Sequence, residues 1–183
     1  MSELTLLGLC GSLRRESFNR KLMHEAAGAF GGRFVEGDLR FPLFDQDLES
    51  AEGIPQPVAA LAGQIAAADA VVIACPEYNK APPGALKNAL DWVSRVKGNP
   101  WKDKPVAIVS ATGGRAGGER TQFALRLMMV PFRPRLLQGP EVLVGTASDQ
   151  FDEGGKLVNE INLSALKDLM AALRTEAARV PAA

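Results

Sequence analysis

Residues 70–75, Ala-Val-Val-Ile-Ala-Cys, are apolar at every position and rich in β-branched side chains. A strand with one face in water alternates apolar and polar residues, so an unbroken run of this kind belongs inside a sheet covered on both faces. Parallel strands joined by crossover helices provide that cover. The rest of the chain has the matching pattern. Leu4 to Cys10 is a short apolar run ending at Gly11, and Leu22, Met23, Ala26, Ala27 and Phe30 then recur with a helical period. Arg33 to Asp38 reads as a second strand. Val58, Leu61, Ala62 and Ile65 lead as a helix into the central run, and Leu86, Ala89, Leu90 and Val93 form another helix, closed by Gly98, Asn99 and Pro100.

Val106 to Ala111 reads as a fourth strand and Glu119 to Val130 as a helix apolar on most sides. Glu141 to Val144 is the final strand, with a preliminary piece at Leu136, and Leu166, Leu169, Met170 and Leu173 mark a closing helix. Five strands alternating with helices predict an α/β fold with a doubly wound parallel sheet. Phe41 to Pro57, with three prolines and four carboxylates, shows no sustained period and reads as a long loop. Its acidic stretch, Asp45 to Glu49, lacks the length and glycine placement of a calcium loop and reads as a rim or subunit-contact segment.

With 183 residues, the chain has the length of a single domain spanning 1–183. Apolar residues make up 46% and 21 Lys+Arg balance 21 Asp+Glu, which argues against disorder and against nucleic-acid binding by bulk charge. No apolar run is long enough to span a bilayer, and the first residues have neither a basic n-region nor a long apolar h-region, so a cytoplasmic location with no membrane partner is expected. Two cysteines, Cys10 and Cys75, and one histidine, His24, cannot build a disulfide framework, a zinc site with usual ligands or a Ser-His-Asp relay. No metal and no protein nucleophile is therefore expected, and the chemistry falls to a bound cofactor.

In a doubly wound sheet, ligands bind at the carboxyl ends of the strands beside the point where strand order reverses. Three loops qualify. The first, Gly11 to Asn19, runs from a strand end into a helix start, where unpaired N–H groups and the helix dipole favour an anion. Ser12, Ser17 and Asn19 are candidate donors and Arg14 or Arg15 a candidate cation; Ser17 reads equally as an ordinary N-cap. The patterns GxxxxGK[ST] and GxGxxG are absent there, which disfavours a P-loop nucleotidase and an ordinary dinucleotide dehydrogenase. The second loop, Pro76 to Gly84, is stiffened by three prolines and offers Glu77, Tyr78 and Asn79 to the polar edge of a flat ring. The third, Ser110 to Gly118, contains four glycines, which either allow close approach to a ligand or simply form a flexible surface loop. Together they suit a mononucleotide with a planar ring, such as FMN.

The same residues carry a resemblance. GSLRRESFN after the first strand, CPEYN after the third and PGALKNALDWVSR opening the next helix resemble the NADPH-dependent FMN reductase family of flavodoxin-like proteins, especially its soluble quinone and chromate reductases. DKPVAIVSATGG, GGERTQFALR and GPEVLVG extend the likeness over about residues 4 to 152. It implies a three-layer flavodoxin-like sandwich with sheet order 2-1-3-4-5, bound FMN, NADPH or NADH as electron donor, and quinones, chromate or azo compounds as acceptors. The FMN-phosphate loop falls on Ser12, Arg14, Ser17, Phe18 and Asn19, the ring-edge loop on Pro76, Glu77, Tyr78 and Asn79, and the loop after the fourth strand on Thr112 and Gly113.

The resemblance further implies a homo-oligomer, dimer or tetramer, with Arg120 and Glu141 as candidate interface residues. Phe123 stands where relatives have tyrosine, and Ala81 where many have serine. Alternative functions are a reductase that releases reduced FMN to a partner and a flavodoxin-type electron carrier, although such carriers are usually strongly acidic. Arg115 is placed to approach the donor or the acceptor, or else is solvated. Cys10 and Cys75 read as buried thiols, with a redox pair beneath the flavin as the alternative. His24 reads as solvated.

Overall fold

A computed structural model of the protein describes residues 3–179. The elements are β1 (Thr5–Cys10), α1 (Phe18–Phe30), β2 (Arg33–Gly37), α2 (Gln46–Glu52), α3 (Gln56–Ala67), β3 (Ala70–Ala74), α4 (Gly84–Ser94), β4 (Pro105–Ala111), α5 (Glu119–Met129), β5 (Arg135–Leu136), β6 (Val142–Val144) and α6 (Glu160–Arg179). Strand order is β2-β1-β3-β4-β5, with β6 also paired to β4, and every pairing is parallel. β3 is therefore central, as its uniform apolarity requires, and all five of its residues are buried.

Side-chain alternation divides the core into two layers. Leu6, Val72 and Val109 face α1 and α6, while Leu7, Ile73 and Ile108 face α3, α4 and α5. Fully burying a Leu, Ile or Val side chain contributes roughly 1.5–3 kcal/mol, so these two layers dominate the stability that holds the loops in place. Among the described residues no helix is long and apolar enough to cross a membrane.

One feature matches the sequence-based expectation and one departs from it. The fifth strand position is filled by two short pieces: β5 pairs with the start of β4 at Pro105 and Val106, and β6 with its end at Val109 to Ala111. Pro140, which has no N–H to continue a ladder, lies between them. Within the expected long loop, residues 46–52 form α2. This helix buries none of its residues and so leaves no apolar period to read. The Asp45 side chain caps it by accepting from the Asp47 N–H at 2.8 Å, and Glu49 pairs with Arg95, just after α4, at 2.9 Å. Upstream, Asn88 bonds both the Phe44 N–H and the Pro42 carbonyl, and Trp92 Nε1 donates to that same carbonyl at 2.8 Å. The segment is thus fastened to α4, with Asp45 and Glu49 spent on local structure. Among the described residues no group of three or more His, Cys, Asp or Glu side chains is arranged to hold a metal ion.

Candidate functional site

The loop after β1 leaves the sheet where the Gly11 N–H donates to the Ala74 carbonyl of β3 at 2.9 Å. It enters α1 at Ser17, whose hydroxyl makes no cap hydrogen bond, and no acidic residue occupies the first turn. The ordinary N-cap reading of Ser17 is therefore wrong: the hydroxyl is buried, with only the Cys10 sulfur nearby at 3.9 Å. A helix start without a side-chain cap beside a buried hydroxyl is chemically suited to an anion. Arg14 is exposed at the mouth, its N–H turned back to Ser12 Oγ at 3.3 Å. Arg40 grips the same loop, donating to the Leu13 carbonyl at 3.1 Å.

Asn19 has a different place from the one its sequence position suggests. Its Nδ2 donates to the Ala111 carbonyl at 2.7 Å and its Oδ1 accepts from the Ala111 N–H at 3.0 Å. The amide substitutes for a missing strand partner at the end of β4, locking α1 to the sheet where the first and third loops meet.

In the loop after β3, Tyr78 and Ala81 exchange backbone hydrogen bonds at 3.0 and 3.1 Å around Asn79 and Lys80, whose φ angles are 50° and 67°. Positive φ at both central residues marks a type I′ turn, a conformation that is strained for Lys80. Stiffness therefore comes from this closed turn as well as from the prolines. The turn holds the Tyr78 ring across the cleft, and its hydroxyl donates to Ser12 Oγ at 3.1 Å. Tyr78 is half exposed, but its hydroxyl is bonded to protein. Glu77 turns toward α5: its carboxylate accepts from the Thr121 N–H at 3.3 Å and lies 3.6 Å from the Arg120 guanidinium.

The glycine loop after β4 is clamped rather than flexible. Gln122 Nε2 donates to Ser110 Oγ at 2.9 Å and to the Val142 carbonyl at 3.0 Å, and Ser110 Oγ donates to the Gly117 carbonyl. Both side chains are buried. Gly117 has φ +61°, and a Cβ there would come within 2.4 Å of the Leu143 backbone, so this position admits glycine alone. Thr121 completes the buried polar set, its Oγ1 donating to the Pro76 carbonyl at 3.2 Å. Sequence reasoning passed over Ser110, Thr121 and Gln122. The available signal was a hydroxyl and an amide inside otherwise apolar strand and helix faces.

These loops enclose a cleft of about 130 Å³ above the carboxyl ends of β1, β3 and β4. Ser12, Arg14, Ser17, Phe18, Asn19, Pro76, Glu77, Tyr78, Thr112 and Gly113 all line it; of the expected residues Asn79, which sits in the turn, and Arg15 do not. The cleft is narrow because the Tyr78–Ser12 bond crosses it, and it opens into larger neighbours at both ends. The two cysteines lie in opposite core layers, Cys10 with α1 and α6 and Cys75 with α3 to α5, so they form no redox pair. Burial pushes the Cys10 thiol up and the Cys75 thiol up to about 12, which makes both poor nucleophiles. His24 is half exposed beside Glu36 at 3.3 Å on the outer side of α1.

A parallel sheet of this order, with a helix start able to take an anion at its switch point, defines a flavodoxin-type mononucleotide-binding protein. The family described as NADPH-dependent FMN reductase matches residues 4–149, and the chain belongs to it. Among similar proteins, an NAD(P)H-dependent FMN reductase of Pseudomonas aeruginosa is 40% identical over 161 residues, 86% of each chain. A quinone reductase of Escherichia coli K12 is 39% identical over 172 residues, covering 91% of this chain and 92% of its own. Among solved structures, the flavoenzyme NAD(P)H:(acceptor) oxidoreductase FerB of Paracoccus denitrificans superposes with a TM-score of 0.86 at 28% identity, over 96% of this chain and 98% of its own.

Proposed function

We propose that the protein is an FMN-dependent NAD(P)H oxidoreductase that passes electrons to quinones and, among other small oxidants, to chromate or azo compounds. The observation that carries this reading is the start of α1, which has neither a side-chain cap nor an acidic first turn and lies beside the buried Ser12 and Ser17 hydroxyls. That donor set suits a phosphate monoester, with Arg14 at its mouth. When bound, FMN accepts hydride from a nicotinamide and delivers electrons to the oxidant, so no protein nucleophile is needed.

The chain's own residues bind and orient. In the two later loops the main-chain N–H groups of Tyr78 and Thr112 are taken by Ala81 and Val144, while those of Glu77 and Gly113 would be available to a polar ring edge. The type I′ turn and the Ser110–Gln122 clamp hold these donors without reorganisation. Ser12 Oγ accepts from Tyr78 and keeps its own proton to donate to a phosphate, so the Tyr78–Ser12 bond ties the ring-edge loop to the phosphate loop.

The protein's visible spectrum after extensive dialysis, followed by anaerobic NADPH or NADH and then a benzoquinone, tests this reading. A flavin spectrum that persists, bleaches with nicotinamide and returns with quinone is the expected result. Flavin lost on dialysis but reduced when added back would replace it with a flavin-releasing reductase. Retained flavin that no nicotinamide bleaches would replace it with an electron carrier.

We also propose a homo-oligomer. Phe123, Leu127 and Val130 project from α5 and the turn after it as exposed apolar side chains, and Arg120 and Glu141 are exposed nearby in the sequence for contact with another copy. Glu141→Ala is expected to shift size-exclusion elution toward smaller species. An unchanged elution volume removes that residue from the contact.

A further inference from the structure

A second cleft of about 570 Å³ adjoins the cofactor cleft, sharing Glu77, Thr112 and Gly113 with it, and lies between the loop after β4 and the start of α5. Its charges do not cancel. The Glu77 carboxylate is engaged by the Thr121 N–H and by Arg120, whereas Arg115, also on the cleft wall, joins no ion pair among the described residues. The cleft floor is bare. A Cβ on Gly113 or Gly114 would meet nothing within 4 Å, and neither residue has a positive φ, so neither packing nor backbone geometry demands glycine there. Gly117, in the same loop, is demanded by both. What the two bare glycines provide is open space beside an uncompensated guanidinium.

Of the substrates in the proposed cycle, a simple quinone carries no charge and chromate is a single small anion, whereas a nicotinamide dinucleotide carries a fixed pyrophosphate tethered to the reacting ring. We propose that this cleft seats the pyrophosphate of NADH or NADPH, with Arg115 as its cationic contact and Gly113–Gly114 as the surface the phosphates cross. The assignment rests on the oxidoreductase reading above. A guanidinium presents paired N–H donors that match phosphate oxygens, and a glycine surface lets those oxygens come close to main-chain N–H groups. The clamp through Ser110 and Gln122 keeps the loop that bears Arg115 in register with the ring end.

The test uses the flavin-loaded protein and three donors: NADPH, NADH and N-benzyl-1,4-dihydronicotinamide, which has the reacting ring but no phosphate. In Arg115→Gln, kcat/KM for both dinucleotides is expected to fall about tenfold or more relative to the phosphate-free donor. Arg115→Lys restores part of the loss. By calorimetry, binding of oxidised NADP⁺ weakens by a similar factor and loses part of its dependence on ionic strength. Gly114→Leu, whose side chain enters the open space, produces the same selective loss without removing a charge.

A dinucleotide-to-neutral ratio unchanged in both Arg115→Gln and Gly114→Leu overturns the proposal. A loss with NADPH but not NADH also overturns it, because the contact then belongs to the 2′-phosphate. Failure of every donor, including the neutral one, to reduce the flavin overturns the oxidoreductase reading and this assignment with it.

Discussion

Helices α1 and α5 start at the same edge of the same sheet, and their first turns are treated in opposite ways. The α5 start is satisfied from within: the Glu77 carboxylate accepts the Thr121 N–H, and Glu119 lies in the first turn. The α1 start has no side-chain cap and no acidic residue. A position at the carboxyl edge of a doubly wound sheet therefore does not by itself make an anion site. What decides is whether the protein has already used the N–H groups.

The sharpest way to break this comparison is to give α1 the carboxylate that α5 already has. Ser17→Asp is expected to weaken FMN binding about a hundredfold or more, by setting charge against the phosphate, as read by flavin fluorescence titration. The same substitution should raise stability by about 0.5–1 kcal/mol, because it caps a bare helix. A variant that retains flavin through dialysis removes α1 from the phosphate site. Ser17→Ala with Asn19→Ala is expected to weaken FMN binding too, and unchanged flavin retention would count against the loop as a whole.

Asn19→Ala should lower stability by about 2 kcal/mol in urea denaturation, since it leaves both buried backbone groups of Ala111 unpaired. A loss well below that figure means that water enters and replaces the amide. Glu77→Ala takes the carboxylate from the α5 start, and about 1 kcal/mol of destabilisation is expected. Glu77→Gln should lose less, because an amide oxygen still accepts the Thr121 N–H and the Arg120 contact is solvent-screened.

A pH-dependent effect lies in alkaline stability. The Cys75 thiol is raised from 9.0 to about 12 in the folded protein, so above pH 9 the unfolded chain releases its proton first. Stability should then fall as pH rises through this window, by on the order of 1 kcal/mol per pH unit from this group, and the contribution is fully present below pH 9. Cys75→Ala should flatten that part of the pH profile, and a slope unchanged in the variant assigns the loss to other groups.

The sheet was legible because each of its central strands is apolar on both faces, and the three loops were legible because glycine, proline and hydroxyl residues stand where those strands end. α2 was not, since a helix that buries nothing leaves no periodic trace. The roles of Asn19, Tyr78 and Ser110 were not legible either. Each depends on a partner in another element or loop: Ala111 and Ser12, distant in the chain, for the first two, and Gly117 with Gln122 of the following loop and helix for Ser110. A side chain's type announces that it can hydrogen-bond; only its neighbours decide whether it serves a ligand or the fold.

The sequence by itself determined the order of elements, the parallel sheet with two covered faces and the chain segments that meet at its carboxyl edge, because local period and turn chemistry encode these directly. The tertiary structure alone decided which donors at that edge are still free. It engaged the Asn19 amide and the Glu77 carboxylate in internal bonds, held Tyr78 across the cleft mouth, and left Ser17, Arg115 and the Gly113–Gly114 floor open. The physical reason is that hydrogen-bonding groups at a crowded sheet edge compete for partners, and that competition is settled by distances between residues far apart in the chain.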